Sequence, residues 1–211
     1  MEMTVKKNGT KTIMTTDVRT IFKKNKGYST LRELKEKNIH TSVIKNLLTE
    51  EIIEKIKPGL YKLKDYPFDN QSEFIDICRA NPAGVICEIS ALSYYELTTQ
   101  HAFQIDIAIP NSRKPVKIFH PPVKYHFYRE ATYALGIDKI NTKNGSIRIY
   151  NREKTICDIF RSRRHYGEEV ILEALKEYLK IKSRDINKLY EYAKLCRVEK
   201  IIFQYVKILA G

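Results

Sequence analysis

The chain has 211 residues, enough for one domain or two small ones, and its 43% hydrophobic and 30% charged make-up is that of an ordinary folded protein. It contains no run of 18 apolar residues, and its start, Met1 to Lys11, is polar and basic with no signal-peptide core, so no membrane partner and a cytoplasmic location are expected. Formal net charge is +13, which favours polyanionic partners over neutral ones.

The charge is uneven. Residues 1–66 hold 15 Lys+Arg against 8 Asp+Glu, a net +7, and the remaining 145 residues carry +6. Charge density is therefore more than twofold higher at the N-terminal end, the bias of a nucleic-acid-binding module. Four cysteines lack C-x-x-C spacing and five histidines are scattered. Free core thiols and no metal site are the expectation.

Residues 1–14 are expected to be a flexible basic tail. A helix then runs through Val18, Ile21 and Phe22, spaced on one face, and stops at Asn25-Lys26-Gly27. Thr30-x-x-Glu33 has the form of a capping box opening a second helix, with Leu31 and Leu34 inward and Arg32 outward. Asn38-Ile39-His40 is a tight turn, and Thr41 is placed as the cap of a third helix. Val43, Ile44, Leu47 and Leu48 form its apolar face, and Thr41, Ser42, Lys45, Asn46 and Thr49 its polar stripe. Pro58-Gly59 then joins two Ile- and Tyr-rich segments as a β-hairpin.

Three short helices followed by a hairpin are the order of a winged helix-turn-helix, expected over residues 15–66. A major groove about 12 Å wide admits one helix, whose N-terminal side chains reach base edges. Asn46 can pair bidentately with adenine and Lys45 can reach guanine or a phosphate. Thr30, Arg32, Thr41, Ser42 and Thr49 complete the expected DNA-binding set, with Lys55, Lys57 and Lys62 of the wing on phosphates.

A break at Tyr66 to Gln71 precedes an expected second domain over residues 72–211. A helix from Ser72 to Arg79 is followed by a short apolar segment, Val85 to Cys87, and a helix with Ser90 as its cap. Strands are expected at Phe103 to Ile109, Val116 to Phe119, Val123 to Tyr128 and Ser146 to Tyr150. Helices then run from Glu153 to Phe160, Glu168 to Leu179, around Leu189 and Tyr192, and Val198 to Leu209. The expected class is α+β: an N-terminal winged helix-turn-helix, then a mixed α+β domain with a mostly antiparallel sheet backed by helices.

No phosphate loop, dinucleotide fingerprint or nucleophile elbow occurs, so no catalytic residue and no cofactor are expected. The densest polar cluster is Arg152, Lys154, Thr155, Asp158 and Arg161. It can be a surface for an acidic partner or a helix start laced with ion pairs. A metal-dependent nuclease is the alternative, with Glu88, Asp106 and Asp158 converging across elements. An adaptor whose winged helix meets only protein is another.

Lys57-Pro58-Gly59-Leu60-Tyr61-Lys62-Leu63 resembles the R-G-x-Y wing of the AbiEi-type antitoxins, regulators of bacterial viral-defence loci. Ile86 through Gln100 is similar to that family's S-A-L-x-x-x-x-L-T-T-Q segment. Asp106 through Pro110 matches its x-I-x-I-P, and Glu153 through Asp158 its E-K-T-x-x-D. Four motifs in order cover roughly residues 15 to 210. The resemblance implies an autorepressor that binds operator repeats in duplex DNA. It also implies a C-terminal domain that counteracts a nucleotidyltransferase-like toxin in a type IV toxin-antitoxin pair. The wing departs from the family in having Pro58 where an arginine often precedes the glycine.

Overall fold

The structure, a computed structural model, describes residues 15–210. The flexible tail expected over residues 1–14 lies outside the described residues. The chain is α+β and divides into two compact units. One comprises the chain up to Ala80 together with Val116–Pro121 and Thr142–Gly145; the other comprises Asn81–Pro115, Pro122–Asn141 and Ser146–Gly211.

In the first unit α1 (Thr15–Lys24) leads into a short strand, β1 (Tyr28–Thr30), then α2 (Leu31–Glu36) and α3 (Thr41–Thr49). A hairpin, β2 (Ile53–Lys57) and β3 (Leu60–Leu63), and α4 (Ser72–Ala80) complete it. The helices sit where the apolar spacing placed them: Val18, Phe22, Leu34, Ile44 and Leu47 meet Ile53, Tyr61 and Leu63 in one core. Thr30 caps α2 as a full capping box, its hydroxyl accepting from the Glu33 N–H and its own N–H donating to the Glu33 carboxylate. Gly59 holds φ +79°, the left-handed turn position that closes the hairpin. β3 lies between the other two strands, in the order β1-β3-β2, all antiparallel.

β1 has no counterpart in the sequence reading. Its three residues are too few for a periodic signal, and pairing with β3, Ser29 opposite Tyr61, makes it a strand. Thr41 is not the cap of α3. It is the first helical residue, and His40 holds the cap position without a side-chain hydrogen bond.

The second unit has a five-stranded sheet in the order β6-β5-β4-β8-β7. The strands are β4 (Val85–Ile86), β5 (Ile105–Pro110), β6 (Val123–Tyr128), β7 (Ile137–Asn141) and β8 (Ser146–Tyr150). The sheet is mixed rather than mostly antiparallel. β5 pairs with β6, and β4 with β8, in parallel; β4 with β5, and β7 with β8, are antiparallel. The physical reason lies in the connection: twelve residues separate β5 from β6, long enough for a return crossing instead of a hairpin. Val116 to Phe119, expected as a strand, forms none.

α5 (Glu88–Tyr94) and α7 (Arg152–Arg161) pack with α8 (Glu168–Lys180), α9 (Ile186–Leu195) and α10 (Glu199–Ala210) in the larger core of this unit. A one-turn helix, α6 (Glu130–Tyr133), precedes β7. Asn151 caps α7, its side chain accepting from the Lys154 N–H at 3.0 Å. Ser90 is no cap. It lies inside α5, and its hydroxyl accepts from the Asp106 backbone N–H at 2.9 Å. Among the described residues no helix is long and apolar enough to cross a membrane.

Candidate nucleic-acid interface

α3 is divided by its own periodicity. Ile44 and Leu47 are buried, while Thr41, Ser42, Lys45, Asn46 and Thr49 are all exposed on the other side. Thr49 donates its hydroxyl to the Lys45 carbonyl at 3.1 Å, so its side chain is partly occupied. At the N-terminal end the Val43 and Ile44 N–H groups bond to the His40 carbonyl, and no side chain caps the turn. A helix start of this kind leaves backbone donors and the positive end of the dipole facing outward.

The other expected contacts divide sharply. Arg32 is well exposed and pairs with Glu36 one turn on, at 2.9 Å. Thr30 is spent on the capping box. Lys55 is half-buried beside Phe119. Lys57 donates to the Ala80 carbonyl at 2.7 Å, at the end of α4. Lys62 is a clear correction: it is 6% exposed, its ammonium lies 2.7 Å from Asp76 Oδ2, and it stands 4.3 Å from the Phe68 ring centre. It cannot reach a phosphate without breaking a buried ion pair. Tyr28 donates to the other Asp76 oxygen at 2.6 Å. Burial raises the Asp76 carboxyl, and these two bonds pull it back down. Sequence reasoning missed Asp76, although one carboxylate between Ile75 and Ile77 on an inward helix face was the signal.

The polar cluster on α7 is not a surface. Lys154, Thr155 and Asp158 are fully buried; Arg152 and Arg161 are intermediate. The Lys154 ammonium donates to both Asp158 oxygens and stands 4.1 Å from the Tyr150 ring centre and 4.7 Å from that of Tyr128. Thr155 returns its hydroxyl to the Asn151 carbonyl at 2.8 Å. Arg161 approaches Asp158 at 3.6 Å and stacks on Tyr128. The charges face one another rather than a partner, which spacing along one helix does not reveal.

A second buried polar group lies beside it. The Glu88 carboxylate accepts from Ser162 at 2.8 Å and Tyr128 at 3.2 Å through Oε1, while Oε2 has no hydrogen-bond partner among the described residues. His126 Nε2 is 2.8 Å from Asp106 Oδ1, and its Nδ1 is 3.9 Å from Glu88 Oε1. Burial, reinforced by the negative charge of Asp158, pushes the Glu88 carboxyl up to about 7. Glu88 also holds φ +48°, an unusual conformation for a residue with a side chain. His126 went unnoticed in sequence because its partners come from other elements.

Glu88, Asp106 and Asp158 do not form the converging set a nuclease reading asks for. Asp158 is saturated by Lys154, and Asp106 is bound to His126 and Ser90. Among the described residues no group of three or more His, Cys, Asp or Glu side chains could hold a metal ion. All four cysteines are free, three of them buried.

The fold is similar to that in the crystal structure of the RV2827C protein from Mycobacterium tuberculosis. The TM-score is 0.59 over 84% of this chain and 69% of that chain, at 10% sequence identity. A likeness at that identity concerns fold alone. No family model and no curated protein matches the chain.

Proposed function

We propose that residues 15–66 are a winged helix-turn-helix that binds duplex DNA, and that the protein is a transcriptional regulator of the AbiEi antitoxin type. α3 acts as the recognition helix and the β2–β3 hairpin as the wing. The observation that carries the reading is the exposed stripe of Ser42, Lys45 and Asn46 beside an uncapped helix start. Those are the side-chain types that read base edges, next to backbone donors suited to a phosphate. The net +7 of residues 1–66 supplies the sequence-independent attraction. The antitoxin role rests on the four sequence motifs. In that role the second unit counteracts a nucleotidyltransferase-like toxin, without catalysis of its own.

Band shifts with the chain's own promoter fragment test the DNA half. Asn46→Ala is expected to cost about 1–3 kcal/mol on the operator and little on unrelated duplex. Equal losses on both would remove Asn46 from base reading, and no shift by the parent chain at low salt would favour the protein-adaptor reading. Co-expression with the product of the neighbouring reading frame tests the other half: growth arrest relieved by this chain is the expected outcome.

A further inference from the structure

Val116–Pro121 belongs to the first compact unit, although in chain order it falls between β5 and β6. It is strapped to β2, one of the two edge strands of the three-stranded sheet. The Phe119 N–H donates to the Ile56 carbonyl at 2.7 Å, and Ile118 packs on the small core of Ile56, Leu60 and Ala80. Backbone and side chain thus both fasten the strap to the hairpin.

Phe119 turns outward and is 47% exposed. Leaving part of a phenyl ring in water forgoes part of what its full burial would return. Two ammonium groups share it: Lys55 Nζ lies 5.2 Å and Lys117 Nζ 5.3 Å from its centre. Neither lysine takes part in an ion pair among the described residues. Each cation is attracted to the ring, and a phosphate beside the ring meets two positive charges rather than one. Lys62 is paired with Asp76 and the Lys57 ammonium is held at the Ala80 carbonyl, whereas Lys55 and Lys117 meet at this ring.

We propose that Lys55 and Lys117, held on the Phe119 ring, form a phosphate-contacting patch through which the strap extends the duplex-DNA interface of the hairpin. The proposal rests on the DNA-binding reading above and adds to it residues from outside the helix-turn-helix segment. Lys55 and Lys117 supply the contacts; Phe119 is a positioning residue that keeps both ammoniums at the surface.

The test is the slope of log K against log salt concentration for the full chain on its promoter duplex. Lys117→Ala is expected to reduce the slope by about one unit, and Lys55→Ala with Lys117→Ala by about two. Lys117→Arg keeps the charge and should retain the parental slope. Phe119→Ala should lower the slope while Phe119→Tyr, which keeps the ring, should not. Circular dichroism of each variant separates these effects from misfolding. An unchanged slope in a folded Lys117→Ala chain that still depends on Asn46 overturns the patch alone. Absence of any binding by the parent chain overturns the DNA-binding reading and the patch together.

Discussion

The Lys154 ammonium lies 2.7 and 2.6 Å from the two carboxylate oxygens of Asp158, and neither side chain has any exposure to solvent. The residues are one helical turn apart on α7, between the rings of Tyr128 and Tyr150. Removing one partner leaves the other charged and buried, which costs about 3–5 kcal/mol, whereas replacing both by apolar groups is often neutral. Lys154→Ala is therefore expected to lower the urea midpoint strongly. Lys154→Met combined with Asp158→Leu should recover most of the loss. A double variant as unstable as the single one would mean the pair contributes more than it costs to bury.

Glu88 gives the second unit a pH dependence of definite sign. Its carboxyl is raised by burial to about 7, against about 4.3 in an unfolded chain. Between those values the folded form holds the proton more tightly. The stabilisation is complete below the unfolded value and is lost as pH rises through about 7. Unfolding midpoints should accordingly fall between about pH 5 and about pH 8, by up to roughly 3 kcal/mol. Glu88→Gln should flatten the curve and exceed the parent chain at the alkaline end. Parallel curves for the two chains would place the titrating group elsewhere.

The three hairpin lysines look interchangeable in sequence and are not. Lys62→Ala breaks the buried pair with Asp76 and should reduce stability by about 3 kcal/mol or more. Removing Asp76 as well, with Lys62→Met and Asp76→Leu, should recover part of the loss, the Tyr28 hydroxyl being left without its acceptor, and leave the salt slope of DNA binding near the parental value. A slope reduced by a full unit in that folded double variant would return Lys62 to the phosphate-contacting set. Lys57→Ala, which loses one hydrogen bond to the Ala80 carbonyl, should cost only about 1 kcal/mol.

The longer helices of both units were legible because each repeats apolar residues at helical spacing, whereas the one-turn α6 was not. The capping box of α2 was legible because its bonds join residues three apart. Lys62 was misread because alternation along a strand says which residues share a face, not what lies opposite; Asp76 faces it from fourteen residues away. On α7 the ion-pair alternative was legible, since Lys154 and Asp158 are one turn apart, but their burial was not, because Tyr128 reaches Lys154 from strand β6. The burial of β5 was not legible either: all six of its residues are buried, Asp106 included. The Phe119 strap was invisible, since nothing local marks a loop that fastens itself to a distant strand.

Two glycines of the first unit should respond differently to a methyl group. Gly27 has φ +88°, and a Cβ there would stand 2.5 Å from Phe68 Cζ and 2.7 Å from Tyr66 Cγ. Phe68 packs edge-on against Tyr28 and at a tilt against Tyr66, so its retreat would disturb the Tyr28–Asp76 corner. Gly59 has φ +79°, and its nearest neighbour would be Leu31 Cβ at 3.9 Å, an ordinary contact. Left-handed backbone costs a residue with a side chain about 1–2 kcal/mol at either site. Overpacking adds about 1–3 kcal/mol at Gly27 only. Gly27→Ala should therefore lose roughly twice the stability of Gly59→Ala, measured by chemical denaturation. Equal losses at the two glycines would show that the rings beside Gly27 yield freely.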